Sequence, residues 1–383
     1  MEQKRVLITY ATYGSGHKTV ANYVYEYLKK HSNYEIKIID LMDYENVIGY
    51  ISKKAFEQNF KHKANSILFS IIYEILDNKV TTLPYKQVTK SVFKNKALKE
   101  DIINFNPDLL ISTHFFGNII VGMLNKKKLT NSKIISIIPD YVSHEIWIKD
   151  EKSIDAFIVS NDIVKKELTT ENINSKKIYP YGLPLSEKFK SFDDPITIKN
   201  KYHVNNNKKT FLFFAGGSLG SSFSYDYLKK LLSKKYDINI IFVCGKNEKL
   251  MHKALKLVTK NNYQNTEIIG FSNEVNNLLN IADVVITKPG GLSITECLEM
   301  KKPMLLISGN GGQEIYNAKF ICKNGYGLKC NSPRKLVKTV GNLLAKKQLL
   351  NNIKNNLNKY LDNNSAEKIY KLSEKLLNIH KKN

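Results

Sequence analysis

The chain has 383 residues, of which 42% are hydrophobic, more than a single core usually takes up, and this predicts two fully globular domains. Its formal net charge of +24 is carried almost wholly by lysine, with Arg5 and Arg334 the only arginines. That is a diffuse field drawn to polyanionic surfaces rather than the planar bidentate chemistry of base recognition, so no specific nucleic acid is expected as a partner. Cys244, Cys297, Cys322 and Cys330 lack CxxC spacing, which argues against a zinc site or disulfide framework and for a reducing compartment. No apolar run reaches the roughly 18 residues of a membrane-spanning helix.

Arg5 to Ala11 reads as a buried strand, after which Gly14, Ser15, Gly16 and His17 turn into an amphipathic helix ending near Lys30. Tyr34 to Asp40 is a second strand. GSGHKT is a near miss of GxGxxG, and Asp40 stands where a ribose-binding acid would, so an NAD-dependent oxidoreductase is one reading. The other is that His17, kept neutral by the positive end of a helix dipole, acts as a general base. A lone histidine at a turn is commonly just a surface residue, so context must decide.

From Tyr50 to Asn104 there is no strand signal, only helical segments that mix lysines with apolar residues. The cluster from Ile67 to Leu76 fits a core helix, or an interfacial helix rimmed by Lys53, Lys54, Lys61, Lys63 and Lys79. Strands resume at Asp108 to Thr113, Lys133 to Ile138, Ala156 to Ser160 and Lys177 to Tyr179, the alternation of a doubly wound sheet. Gly182, Pro184 and the polar stretch up to Lys209 then break the pattern.

A second series starts at Thr210: FLFFAGGS, INIIFVCG, TEIIGF, ADVVITKPGG and PMLLIS. In its first turn Gly216, Gly217 and Gly220 free the backbone to approach a ligand while Ser218, Ser221 and Ser222 add hydroxyls, and no GK[ST] follows to make a Walker A loop. In the turn after ADVVIT, Gly290, Gly291, Leu292 and Ser293 open a helix whose N–H groups suit a phosphate. Ser293 and Glu296 also have the spacing of a capping box, a purely local role. Gln313, Glu314 and Asn317 open the next helix, and amide and carboxylate groups side by side suit vicinal sugar hydroxyls. With no DxD motif or His/Cys cluster, no metal is expected as cofactor, and a ligand diphosphate would be neutralised by backbone dipoles and lysines.

The expected architecture is α/β: two Rossmann-like, doubly wound domains facing a cleft, residues 1–186 and 187–345, with a helical tail, 346–383, packing back on the first. Four motifs in order, YGSGHKTVA, PDYVSHEIW, GLPL, and ITKPGGLSITECL with GGQEIYNA, resemble the GT-B glycosyltransferases that act on diacylglycerol. This is the monogalactosyldiacylglycerol synthase and processive diacylglycerol glucosyltransferase family, glycosyltransferase family 28-like, with a more distant likeness to the peptidoglycan N-acetylglucosaminyltransferase acting on lipid I. The resemblance covers nearly the whole chain. Pro139 before Asp140, where the family often has threonine, and GGSLGSS in the diphosphate loop depart from it.

The resemblance implies a UDP-hexose donor, glucose favoured over galactose, used as a co-substrate with no cofactor. It implies a diacylglycerol or monoglycosyl-diacylglycerol acceptor, one or several sugars being added. It also implies that the N-terminal domain meets the lipid acceptor at the membrane, and the lysine excess adds an expected attraction to an anionic membrane surface at the cytoplasmic face. By the same likeness Glu296 holds the ribose, Gln313 and Glu314 the hexose, Gly290 to Ser293 the diphosphate with Gly216 to Ser218 opposite, and Phe271 and Ser272 the uracil. His17 or Asp140 is the base, and His144 and Trp147 belong to the acceptor side with Gly14 to Gly16.

Overall fold

In the computed structural model the described residues are 3–12, 16–44, 94–216, 222–307, 312–360 and 364–379. The apolar cluster and lysine rim anticipated between Lys53 and Lys79 lie outside them, as do Gly14, Ser15, Gly217, Ser218, Gly220 and Ser221. The chain divides into two compact units, Met1–Ser186 with Asn363–Asn383, and Glu187–Asp362.

Unit one is built on a parallel sheet of β1 (Arg5–Tyr10), β2 (Glu35–Asp40), β3 (Leu109–Ser112), β4 (Lys133–Ile137), β5 (Ala156–Ile158) and β6 (Ile178–Tyr179), in the order β2-β1-β3-β4-β5-β6. The central strands are apolar on both faces because helices cover both, the usual state of an all-parallel sheet. Val6 pairs with Ile36 on one side and with Leu109 on the other. The sheet order reverses between β1 and β3, and the exits of these two strands are where open sheets of this type hold ligands.

Helix Phe115–Lys126 approaches that point closely. A methyl group at Gly117 would come within 2.0 Å of Thr9 Oγ1 and 2.4 Å of Ser112 Oγ, so only glycine lets the helix seat there. Helix starts carry their own local signals: the Asn161 side chain accepts from Ile163 and Val164 N–H, and the Asn95 side chain from Leu98 N–H. The C-terminal helix Ser365–Ile379 belongs to this unit. Tyr370 meets Tyr27 and Tyr34 at 6.3 and 6.4 Å between ring centres, and Ser365 Oγ donates to the Gly182 carbonyl at 2.7 Å.

Unit two carries β7 (Lys209–Phe214), β8 (Ile238–Val243), β9 (Thr266–Ile269), β10 (Val284–Thr287), β11 (Met304–Ile307) and β12 (Gly327–Cys330). Their order is β12-β11-β10-β7-β8-β9, all parallel. Counted within the unit this is the 3-2-1-4-5-6 order of dinucleotide-binding sheets, with the reversal between β7 and β10. Pro333 follows the capping Ser332 at the start of helix Pro333–Ala345, the favoured place for proline. Helix Lys347–Asn358 completes this unit.

Candidate functional site

Each unit presents a polar cluster at its strand-order reversal. In unit one, His17 is the second residue of helix Gly16–His31, next to the exit of β1. Its Nδ1 lies in hydrogen-bonding contact with the Thr113 carbonyl at the exit of β3, and Thr113 Oγ1 donates back to the His17 carbonyl at 3.0 Å. A carbonyl only accepts, so Nδ1 carries the proton and Nε2 presents a lone pair. Burial holds the His17 imidazole below its ordinary range against the opposing pull of the Thr113 carbonyl, so the ring is neutral at pH 7. A neutral ring with an Nε2 lone pair is able to accept a proton.

Aromatic side chains fix the plane of this ring. His114 meets it edge-on at 4.9 Å, and Trp147, from the short helix Glu145–Ile148 after β4, stacks on it at 6.5 Å with the planes 27° apart. His114 is 5% exposed, and burial, with the nearby His17, keeps it neutral. His144 is buried and uses Nδ1 to cap Ile146 N–H at 3.2 Å, a bracing role within the loop. Glu167 accepts from Ser143 N–H at 3.2 Å and anchors the same loop, its carboxyl raised by burial. Asp140 is partly buried just past β4 and is itself engaged. A methyl added at Gly16 would meet nothing within 4 Å among the described residues.

The dinucleotide reading fares poorly against Asp40. Oδ1 accepts from Thr12 and Met42 N–H at 3.1 and 3.0 Å, and Oδ2 takes the Thr12 hydroxyl. A carboxylate bound to its own backbone in this way is spent on shaping the turn.

In unit two the turn Lys288-Pro289-Gly290 leads from β10 into helix Gly291–Glu299. Gly290 stands at the cap position, and no side chain caps the helix. The capping box does not form, because the helix begins two residues before Ser293, which places Glu296 inside it. The N–H groups of Gly291, Leu292 and Ser293 therefore have no side-chain cap and suit an anion. A methyl at Gly290 would also meet nothing within 4 Å among the described residues. Asn317 is fully buried, and its Nδ2 braces the turn by donating to the Pro289 carbonyl at 3.1 Å.

Glu296 is 8% exposed, and burial pushes its carboxyl up to about 8. A buried acid without a capping duty points to a ligand that donates to it. The next helix, Gln313–Lys323, starts after Gly312, whose φ of 56° and ψ of −136° only glycine adopts readily. Gln313 Oε1 is buried with no protein partner among the described residues. Glu314 sits beside it, partly buried. At the exit of β9, Phe271 is 52% exposed with Lys246 5.3 Å from its ring centre, and Ser272 Oγ accepts from Glu274 N–H at 3.1 Å. Gly216, with φ of 109°, lies two residues past the end of β7 at the reversal.

The predicted residues thus gather in two groups: His17 with Trp147 in unit one, and Gly216, Gly290 to Glu296 and Gln313 to Asn317 on neighbouring strand exits in unit two. Sequence reasoning passed over Thr113, His114 and Lys288. All three stand at the C-terminal end of a strand, and that position in STHFF and ITKPGG was the available signal. Among the described residues no three His, Cys, Asp or Glu side chains gather as a metal site, and no helix is long and apolar enough to cross a membrane.

Comparison with known proteins places these two halves. Residues 17–185 match the monogalactosyldiacylglycerol (MGDG) synthase family model, and residues 211–376 match the glycosyltransferase family 28 C-terminal domain. A processive diacylglycerol beta-glucosyltransferase of Staphylococcus haemolyticus is 28% identical over 99% of this chain and 93% of its own length. The enzyme of the same name from Bacillus subtilis is 27% identical over 96% of this chain and 94% of its own. Among solved structures, S. aureus MnaA with UDP superposes with a TM-score of 0.66 at 15% identity, covering 98% of this chain and 97% of that one. MurG of Acinetobacter baumannii gives 0.64 at 14%, covering 97% and 99%. These likenesses fix the fold as GT-B.

Proposed function

We propose, from the premise that this chain belongs to the diacylglycerol glycosyltransferase family, with its MGDG synthase and family 28 halves, that it moves a hexose from a UDP-sugar to diacylglycerol. Glucose is favoured over galactose as the sugar, because the similar full-length relatives bear the glucosyltransferase name. The observation that carries the reading is in unit two. An uncapped helix start, a buried carboxyl and an unsatisfied amide oxygen stand on the exits of adjacent strands. These are complementary, in that order, to a diphosphate, a ribose diol and a hexose hydroxyl.

In the reaction, the acceptor hydroxyl loses its proton to Nε2 of His17, with Asp140 the second candidate, and attacks the anomeric carbon. The bond to the diphosphate breaks on the opposite face, so an α-linked donor gives a β-glycoside. Charge developing on the leaving UDP meets the N–H groups of Gly291 to Ser293, which are oriented before the reaction starts. Glu296 receives the ribose hydroxyls, Gln313 and Glu314 receive the hexose hydroxyls, and Phe271 and Ser272 border the base. These groups complete the donor contacts without calling on a metal.

Lysine-rich surface charge draws the enzyme to anionic lipid, at about 1 kcal/mol per lysine near the surface, where the acceptor is found. Incubation of the purified protein with diacylglycerol vesicles and either UDP-glucose or UDP-galactose, followed by mass and linkage analysis of the lipids, tests the reading. A glucosyl-diacylglycerol is the expected product. Absence of any glycolipid with both donors would overturn the proposal.

A further inference from the structure

The donor turn contains a buried cation that the account above leaves without a role. Lys288 follows β10 directly and is 8% exposed, an unusual state for a lysine. Its ammonium lies 5.1 Å from the ring centre of Phe223, the residue preceding helix Ser224–Leu232 beyond β7. It also feels the charge of Glu314, at the start of the helix beyond β11. One side chain thus stands where the exits of β7, β10 and β11 converge, at the strand-order reversal. Among the described residues no carboxylate comes within ion-pair distance of it.

Burying an ammonium is costly unless an opposite charge joins it, and a cation–π contact with Phe223 offsets only part of that cost. Burial holds the Lys288 ammonium below its ordinary range, against the weaker opposing effect of Glu314. The site is therefore short of negative charge. Two residues further on, the uncapped helix start at Gly291 adds a second locus that suits an anion. A nucleoside diphosphate supplies the missing charge to both.

We infer that Lys288 is the counter-ion of the donor diphosphate, and that it selects diphosphates over the bare nucleoside. This rests on the UDP-sugar reading and names a residue and a selectivity within it. A lysine point charge needs no fixed approach geometry, which suits a leaving group whose charge grows during the reaction.

Calorimetric titration of the full-length protein with UDP and with uridine tests the inference. The wild type should bind UDP at least about tenfold tighter than uridine, since a charge-assisted contact is lost with the phosphates. K288M, similar in volume and free of the buried charge, should bind uridine within about twofold of wild type while its UDP preference falls about tenfold or more. K288R should retain part of that preference. K288Q provides a second neutral variant, and a melting temperature no lower than that of the wild type identifies whichever of the two neutral variants is folded. An undiminished UDP-to-uridine ratio in a folded neutral variant would overturn the role of Lys288 and leave the donor reading standing. Failure of the wild type to bind UDP would overturn that reading, and the inference with it.

Discussion

Glu296, proposed to receive the ribose, carries a cost in the fold. Its carboxyl is raised by burial from 4.5 to about 8, so the folded protein holds a proton that the unfolded chain releases. Between these values the folded state binds more protons than the unfolded one, and stability falls as pH rises. Glu296→Gln removes that charge, so it should melt at least about 2 °C above wild type at pH 8 and close to it at pH 4.5 to 5. UDP binding should weaken about tenfold in the same variant, because glutamine replaces one carboxyl oxygen with an NH2 group that cannot accept from the ribose diol. Equal melting at pH 8 would show that the carboxyl is not held neutral by its surroundings. For His17 the sign is opposite. Its imidazole is lowered by burial, so kcat/KM should hold down to pH 6.5 and fall only as the pH drops further. His17→Ala should reduce kcat by about 100-fold or more with UDP affinity nearly unchanged, and unaltered turnover would remove it from the chemistry.

At the scale of elements, the sites depend on how strands end. Gly312 shows this most directly, because its φ of 56° and ψ of −136° aim the start of helix Gln313–Lys323 and so place Gln313 Oε1. Gly312→Ala should cost about 1 to 3 kcal/mol of stability and raise the donor KM, checked by chemical denaturation and initial rates. Eleven of the twelve strands among the described residues were legible in the sequence within a residue or two, because buried parallel strands read as short runs of Val, Ile, Leu and Phe closed by glycine or proline. The edge strand β12, Gly327–Cys330, was not read, because its Gly-Leu-Lys-Cys sequence makes no such run. The glycine turns were legible for the same reason. What the sequence did not disclose was how the helix after β10 begins. The Ser293 and Glu296 spacing satisfies a capping box, but Gly290 and Gly291 let the helix start earlier and carry both residues inside. Nor could it show that Asp40 is spent on Thr12, or that Thr113 and His114 meet His17, because those pairings depend on which strands become neighbours.

For the whole molecule, net charge and donor chemistry make separate predictions. Binding to anionic vesicles should weaken steeply between low and 0.5 M salt, as screening shortens the reach of the lysine field. A protein that ignores such vesicles at low salt would contradict the proposed surface attachment. With Lys288 and the helix N–H groups of Gly291 to Ser293 neutralising the diphosphate, turnover should survive an excess of chelator within about twofold. Loss of activity restored by Mg²⁺ would show that a cation shares that task. The central claim, transfer by a single displacement onto diacylglycerol, is tested most directly by the anomeric configuration of the product. NMR of the glycolipid formed from α-linked UDP-glucose should show a β-glucoside appearing in step with free UDP. An α-glucoside, or UDP release without any lipid product, would contradict it.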